Sequence, residues 1–225
     1  MDIKRQKNQL RKKILHERDC LSETHRAEVS RGISEVILEL PSFQHSKAVA
    51  IYMSFGSEFQ THILLSEALR LGKAVALPKI ESASHVISFR SWSGKAEELL
   101  EGRWGIREPD PVRSELVELR HIDFILVPGV AFTDQGSRLG YGGGYYDSAM
   151  SKLSESSVSV AAAFSLQIVP DLLPCQSLLA RFPVCSDFCL CSSVAKPSQV
   201  QCSLQVWIAW HYRPVGSCLK QWRVA

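Results

Sequence analysis

A chain of 225 residues, 45% hydrophobic and 22% charged, can bury one substantial core, and its formal net charge of +3 points to neither a nucleic-acid nor a membrane partner. Residues 2–13 are mostly polar and basic with no apolar core behind them, so no secretory signal is expected. No apolar run is long enough to span a membrane, and a cytoplasmic protein is expected, with a mitochondrial or plastid transit sequence left open.

Ile3, Leu10, Ile14 and Leu21 share one stripe at helical spacing, which predicts an amphipathic helix over 3–19. Ser22 is placed to cap a second helix carrying Val29, Ile33, Val36, Ile37 and Leu40, closed by Pro41. Ala48 to Met53 reads as a buried strand. Thr61 is placed to cap a third helix through Leu69, stopped by Gly72. Ala74 to Leu77 is a strand ended by Pro78, and Val86 to Arg90 an antiparallel strand near an edge. Ile122 to Val127 is the clearest buried strand, followed by Pro128-Gly129. Tyr145 to Leu153 reads as a helix and Val158 to Phe164 as a last strand. This alternation predicts a single α/β domain over 1–174, with a mostly parallel sheet and helices on both faces. Ligands of such sheets bind beyond the carboxyl ends of strands, so Glu58 and the loop after Val127 are where chemistry is expected.

That loop is glycine-rich, with Gly140, Gly142, Gly143 and Gly144 leaving the backbone open to close approach. A helix following it would aim free N–H groups at an anion. A Gly-Lys-Ser/Thr ending is absent, which excludes a P-loop. Tyr145 stands where a dinucleotide fingerprint needs its third glycine. Glycines alone would read as a flexible turn. Arg138, with a planar donor fork suited to phosphate, and Asp147, a hard oxygen donor suited to Mg²⁺, shift the balance to a nucleotide site. Lys7 and Arg11, four residues apart, share a helix face that is either simply solvated or turned to a triphosphate.

The stretch Pro128 to Asp147, with its Arg-Leu-Gly-x-Gly-x-Gly-Tyr-Tyr-Asp core, resembles the signature of 5-formyltetrahydrofolate cyclo-ligases. Some relatives carry basic residues where Tyr141 and Gly143 stand, so this chain relies more on backbone donors there. Lys7-Asn8-Gln9-Leu10-Arg11, followed by Arg18 and the Leu21-Ser22 helix break, resembles the family's N-terminal nucleotide-contacting element, and Tyr52-Met53-Ser54-Phe55-Gly56-Ser57-Glu58 its folate-binding loop. Trp104 lies in a further family-like segment, either covering a pterin or packing in the core. The resemblance implies ATP-dependent conversion of 5-formyltetrahydrofolate to 5,10-methenyltetrahydrofolate, with release of ADP and phosphate, by a monomer using ATP as co-substrate and Mg²⁺. It assigns ATP binding to Lys7, Arg11, Arg138, Leu139, Gly140, Tyr141, Gly142, Gly143, Gly144, Tyr145 and Tyr146. It assigns folate binding to Met53, Glu58, Trp104 and Tyr145, the metal to Asp147, and catalysis to Arg138 and Tyr145.

The likeness fades near Pro174. The family's His-Asp pair, whose aspartate contributes to the metal site, has no counterpart after residue 174. Six of the seven cysteines lie in 175–225, where Asp187 is the only acidic residue. This tail reads as a replaced, poorly ordered terminus, and an impaired isoform that only binds ATP or folate is the alternative to the active enzyme. Cys185, Cys189, Cys191 and Cys202 with His211 superficially suggest zinc but lack paired Cys-x₂-Cys knuckles.

Overall fold

The computed structural model describes residues 2–172 apart from 82, 83, 85, 103 and 104. Trp104 and the tail from 175 to 225, with its candidate zinc ligands, lie outside the described residues.

Helix α1 (Ile3–Asp19) forms where expected, its first turn closed by Asp2, whose carboxylate accepts from the Lys4 amide at 3.0 Å. Helix α2 (Glu23–Glu39) is capped by the Ser22 hydroxyl, which accepts from the His25 amide at 3.2 Å. Pro41 does more than close α2. Its fixed φ suits the first position of a short helix, α3 (Pro41–Gln44). Strand β1 (Ala48–Ala50) is followed by α4 (His62–Arg70), then β2 (Ala74–Glu81) and β3 (Val86–Trp92). A two-stranded unit, β4 (Leu99–Glu101) and β5 (Arg107–Pro109), precedes β6 (Phe124–Leu126). After it come the small hairpin β7 (Ala131–Phe132) and β8 (Arg138–Leu139), helix α5 (Tyr145–Met150) and strand β9 (Val158–Val160).

The main sheet runs β3-β2-β1-β6-β9, parallel except for the antiparallel edge strand β3. Alternation along the inner strands decides the layers. Val49, Val75, Leu77, Phe124, Leu126 and Val160 face α2, α3 and α4. Ala50, Ala76, Ile125 and Val127 point to the opposite face, covered by α5 and the 117–122 segment. The central strands are therefore buried on both sides, which is why they read as continuous apolar runs.

Several boundaries differ from expectation. Thr61 precedes α4 but does not cap it; its hydroxyl accepts instead from the Ser54 amide at 3.2 Å, pinning the loop after β1. Strand β2 runs through Pro78 rather than ending there. The Ala76 carbonyl accepts from the Ile51 amide, so alternation puts Pro78 on the same edge, two residues past the end of the β1 ladder. No partner there asks for the missing N–H. Strands β1, β6 and β9 are each three residues long, because beyond them the chains diverge into the loops that carry the site. Helix α5 stops at Met150, short of Leu153.

Candidate active site

The chain leaves β1 for β2 on one side and later returns to β6 on the other, so the sheet order reverses between β1 and β6. Loops leaving the carboxyl ends of these two strands face one another across that crevice, where α/β sheets bind ligands. One is Ser54 to Glu58. The other is Pro128 to Gly144.

Helix α1 closes the crevice. Leu10, Ile14 and Leu15 pack against Val130, Ala131 and Leu139, the apolar side of the β7–β8 hairpin. Burying Ile14 there is worth about 1.5–3 kcal/mol. Arg11 and Arg18, at positions i−3 and i+4 to Ile14, flank the same face. Arg11 Nε donates to the Gly140 carbonyl at 2.7 Å, and its Nη1 donates to Asn8 Oδ1 at 2.7 Å. Arg18 is only 4% exposed. Its Nε donates to Ser57 Oγ at 3.0 Å and its Nη2 to the Tyr141 hydroxyl at 3.1 Å. The Ser57 hydroxyl in turn donates to Asp19 Oδ1.

Glu58 sits at the centre, 5% exposed. Its Oε1 accepts from the Tyr141 hydroxyl and its Oε2 from the Phe55 amide at 3.2 Å. Burial raises its pKa above the ordinary value, while these two donors and the nearby Arg18 charge pull the other way. Tyr52, Tyr141 and Tyr146 surround it. Burial first, and the Glu58 charge second, push all three phenols upward.

On the glycine loop, Arg138 is fixed from several sides. Its Nη1 donates to the Pro128 carbonyl at 2.9 Å, Nη2 pairs with Asp147 Oδ1, and the guanidinium lies 5.9 Å from the Tyr146 ring centroid. Its Nε is buried without an acceptor. A guanidinium with one donor unmet suits an incoming phosphate oxygen. A Cβ on Gly140 would lie 2.8 Å from Arg138 Nη1, so a bare backbone at 140 is what lets the side chain occupy this position. Gly144 opens α5 with φ 69, a left-handed conformation open to glycine at no steric cost.

The structure thus brings together Arg11, Glu58, Arg138, Gly140 to Tyr146 and Asp147. Lys7 lies one turn further towards the start of α1. The Leu139 side chain is buried against α1 and that of Met53 packs on the core, so those two residues can offer ligands mainly their backbone. Tyr145 is half-buried, its ring against Gly143, where a Cβ would come within 2.6 Å of it. Arg18, Tyr52 and Ser57 complete the site; the sequence places them in family-like segments but gives none of them a ligand. An arginine at the i+4 spacing of a buried stripe was the available signal for Arg18.

The Asp147 side chain is 48% exposed, and one of its oxygens is engaged by Arg138. Among the described residues no group of three carboxylate, histidine or cysteine side chains gathers. One exposed carboxylate fits Mg²⁺ held chiefly by phosphate and water oxygens.

The model of the 5-formyltetrahydrofolate cyclo-ligase family matches residues 3–178. The chain belongs to that family. It is a family of enzymes, and the matched range takes in the loop from Arg138 to Asp147. A probable 5-formyltetrahydrofolate cyclo-ligase of Schizosaccharomyces pombe is 38% identical over 125 residues, covering 55% of this chain and 61% of that protein. The 5-formyltetrahydrofolate cyclo-ligase of Mus musculus is 28% identical over 174 residues, 74% of this chain and 86% of the mouse protein. The NMR structure of Aquifex aeolicus 5,10-methenyltetrahydrofolate synthetase superposes with a TM-score of 0.67 at 38% identity, covering 79% of this chain and 86% of that one. Among the described residues no helix is long and apolar enough to cross a membrane.

Proposed function

We propose that this cyclo-ligase family member converts 5-formyltetrahydrofolate and ATP into 5,10-methenyltetrahydrofolate, ADP and phosphate. The observation that carries this is the convergence of Arg138, Arg11 and the glycine-rich backbone of residues 140–146 on one side of the switch point, with buried Glu58 on the other. In this reading the loop amides, Arg11 and Arg138 receive the triphosphate, with Lys7 at its outer end. The Glu58 carboxylate accepts from the donor edge of the pterin, and Met53 and Tyr145 flank the folate.

A formamide oxygen is a poor leaving group. The formyl oxygen attacks the γ-phosphorus, the bond from that phosphorus to the bridging oxygen breaks, and ADP leaves. N10 of the folate then attacks the formyl carbon and loses its proton, and the carbon–oxygen bond breaks to release phosphate and leave the methenyl bridge. The chain supplies no covalent nucleophile in this sequence. Arg138 and the loop amides hold the two substrates in line and offset charge gathering on the transferred group. Magnesium, when held by Asp147 and phosphate oxygens, would neutralise phosphate charge. We further place the chain as a cytoplasmic monomer without nucleic-acid partners, with a single α/β domain ending near residue 174.

The test is ATP-dependent growth of methenyltetrahydrofolate absorbance with the full chain. Arg138→Ala removes one preorganised donor group and should lower the rate constant about 10²–10³-fold. An undiminished rate in the variant takes Arg138 out of the site, and no turnover by the parent chain refutes the activity.

A further inference from the structure

We propose that the Tyr141 hydroxyl is an intramolecular stand-in for the donor edge of the folate at Glu58, so that folate binding releases Tyr141 and the glycine loop attached to it. This rests on the function proposed above and adds to it a route by which one substrate prepares the site of the other.

The proton direction in the network is fixed by chemistry. Arginine can only donate, so where Arg18 Nη2 meets the Tyr141 hydroxyl at 3.1 Å the phenol oxygen is the acceptor. The phenol proton then goes to Glu58 Oε1, as the contact geometry requires. The other carboxylate oxygen is held by the Phe55 amide within its own loop. Of the groups around Glu58, Arg18 and Ser57 are buried behind it, whereas Tyr141 is 42% exposed and comes from the opposite loop. Its ring lies 6.0 Å from that of Phe55, tilted by 40°. The solvent side of Glu58 is therefore the side Tyr141 covers, and a ligand arriving from solvent meets that phenol first.

Release of Tyr141 reaches the nucleotide loop directly. The preceding residue, Gly140, is tied to α1 through Arg11, and the following Gly142 and Gly144 stand at φ 107 and 69, where the chain can swing. A ligand can shift such an equilibrium only by its differential affinity for the two arrangements. Competition for the Glu58 oxygen provides that difference. Linkage then makes the effect reciprocal between folate and ATP.

The test uses the full-length chain and its Tyr141→Phe variant, titrated calorimetrically with 5-formyltetrahydrofolate and with a non-hydrolysable ATP analogue plus magnesium, each alone and each with the other present. Removing the internal competitor should tighten folate binding about 3- to 10-fold, the range of one hydrogen bond. The factor by which folate improves affinity for the ATP analogue should shrink towards one. A phenol that merely braced Glu58, or that touched the folate itself, would give weaker folate binding on removal, so unchanged or weakened affinity overturns the proposal. Tyr141→Leu, which also lacks the donor, must shift folate affinity in the same direction if Tyr141→Phe folds poorly. Failure of the parent chain to bind folate at all is a different result: it removes the cyclo-ligase reading and this inference with it.

Discussion

Glu58 is a carboxylate placed where ionisation is costly, and the cost has a pH signature. Burial lifts its native pKa above the ordinary 4.5, against the pull of its hydrogen bonds. Between the unfolded and native values the folded chain holds more protons than the unfolded one, so stability falls as pH rises through that window. Glu58→Gln keeps the acceptor for Tyr141 and removes the titration. The unfolding free energy of the variant minus that of the parent should therefore climb from pH about 4.5 upward and level off once the native carboxyl is ionised. Urea titrations of both proteins across that range measure it, and a flat difference would show that Glu58 is not strained by burial. At this scale the sequence was readable wherever a residue type matched its chemistry at a recognisable spacing, as with Arg138, Asp147 and Arg11. It did not show what Arg18 and Tyr52 touch, nor that Ser57 and Tyr141 would gather around Glu58. Their roles depend on which loop meets which across the crevice, and Arg18 and Tyr141 stand 123 residues apart.

The elements around the site owe their form to competition between local rules and neighbours. Pro78 inside β2 and the unused cap at Thr61 are places where a correct local preference yielded to what lay beside it. The β7–β8 hairpin is too short to show a period of its own, and it is packing by α1 and by the 166–172 segment that makes it an element. This hairpin aims Arg138, so two glycines after it should fail in different ways. Gly140→Ala puts a methyl 2.8 Å from Arg138 Nη1, the far end of that side chain, which must shift away from its hydrogen bond to Pro128. Giving up the Pro128 hydrogen bond should cost about 0.5–1.5 kcal/mol of stability, while the displaced guanidinium lowers kcat at least tenfold, in line with the cost of small misplacements. Gly144→Ala forces an alanine to φ 69 and should cost about 1–2 kcal/mol of stability. Urea midpoints and steady-state kinetics on the pair distinguish them. Equal losses of stability would mean that the loop tolerates a side chain at neither position.

At the scale of the whole molecule, the site exists only when three distant stretches are assembled: α1, the loop after β1 and the loop after β6. The unfolded chain holds none of this geometry, so ligands of the site bind the native state alone and must stabilise it by mass action. At a concentration about a hundredfold above its Kd a ligand adds about 2.7 kcal/mol. For a chain of this size about 2–4 °C of thermal midpoint corresponds to each kcal/mol, so Mg-ATP at that level should raise Tm by about 5–10 °C. Chelating the metal while keeping ATP separates two contributions. If Asp147 holds a cation against the triphosphate, the shift falls on chelation in the parent chain and is less sensitive to chelation in Asp147→Asn, whose amide carries no charge for the ion. A shift that ignores the chelator in both proteins would leave the arginines and loop amides as the whole nucleotide site. No shift at all with Mg-ATP would mean that the crevice between β1 and β6 does not receive a nucleotide.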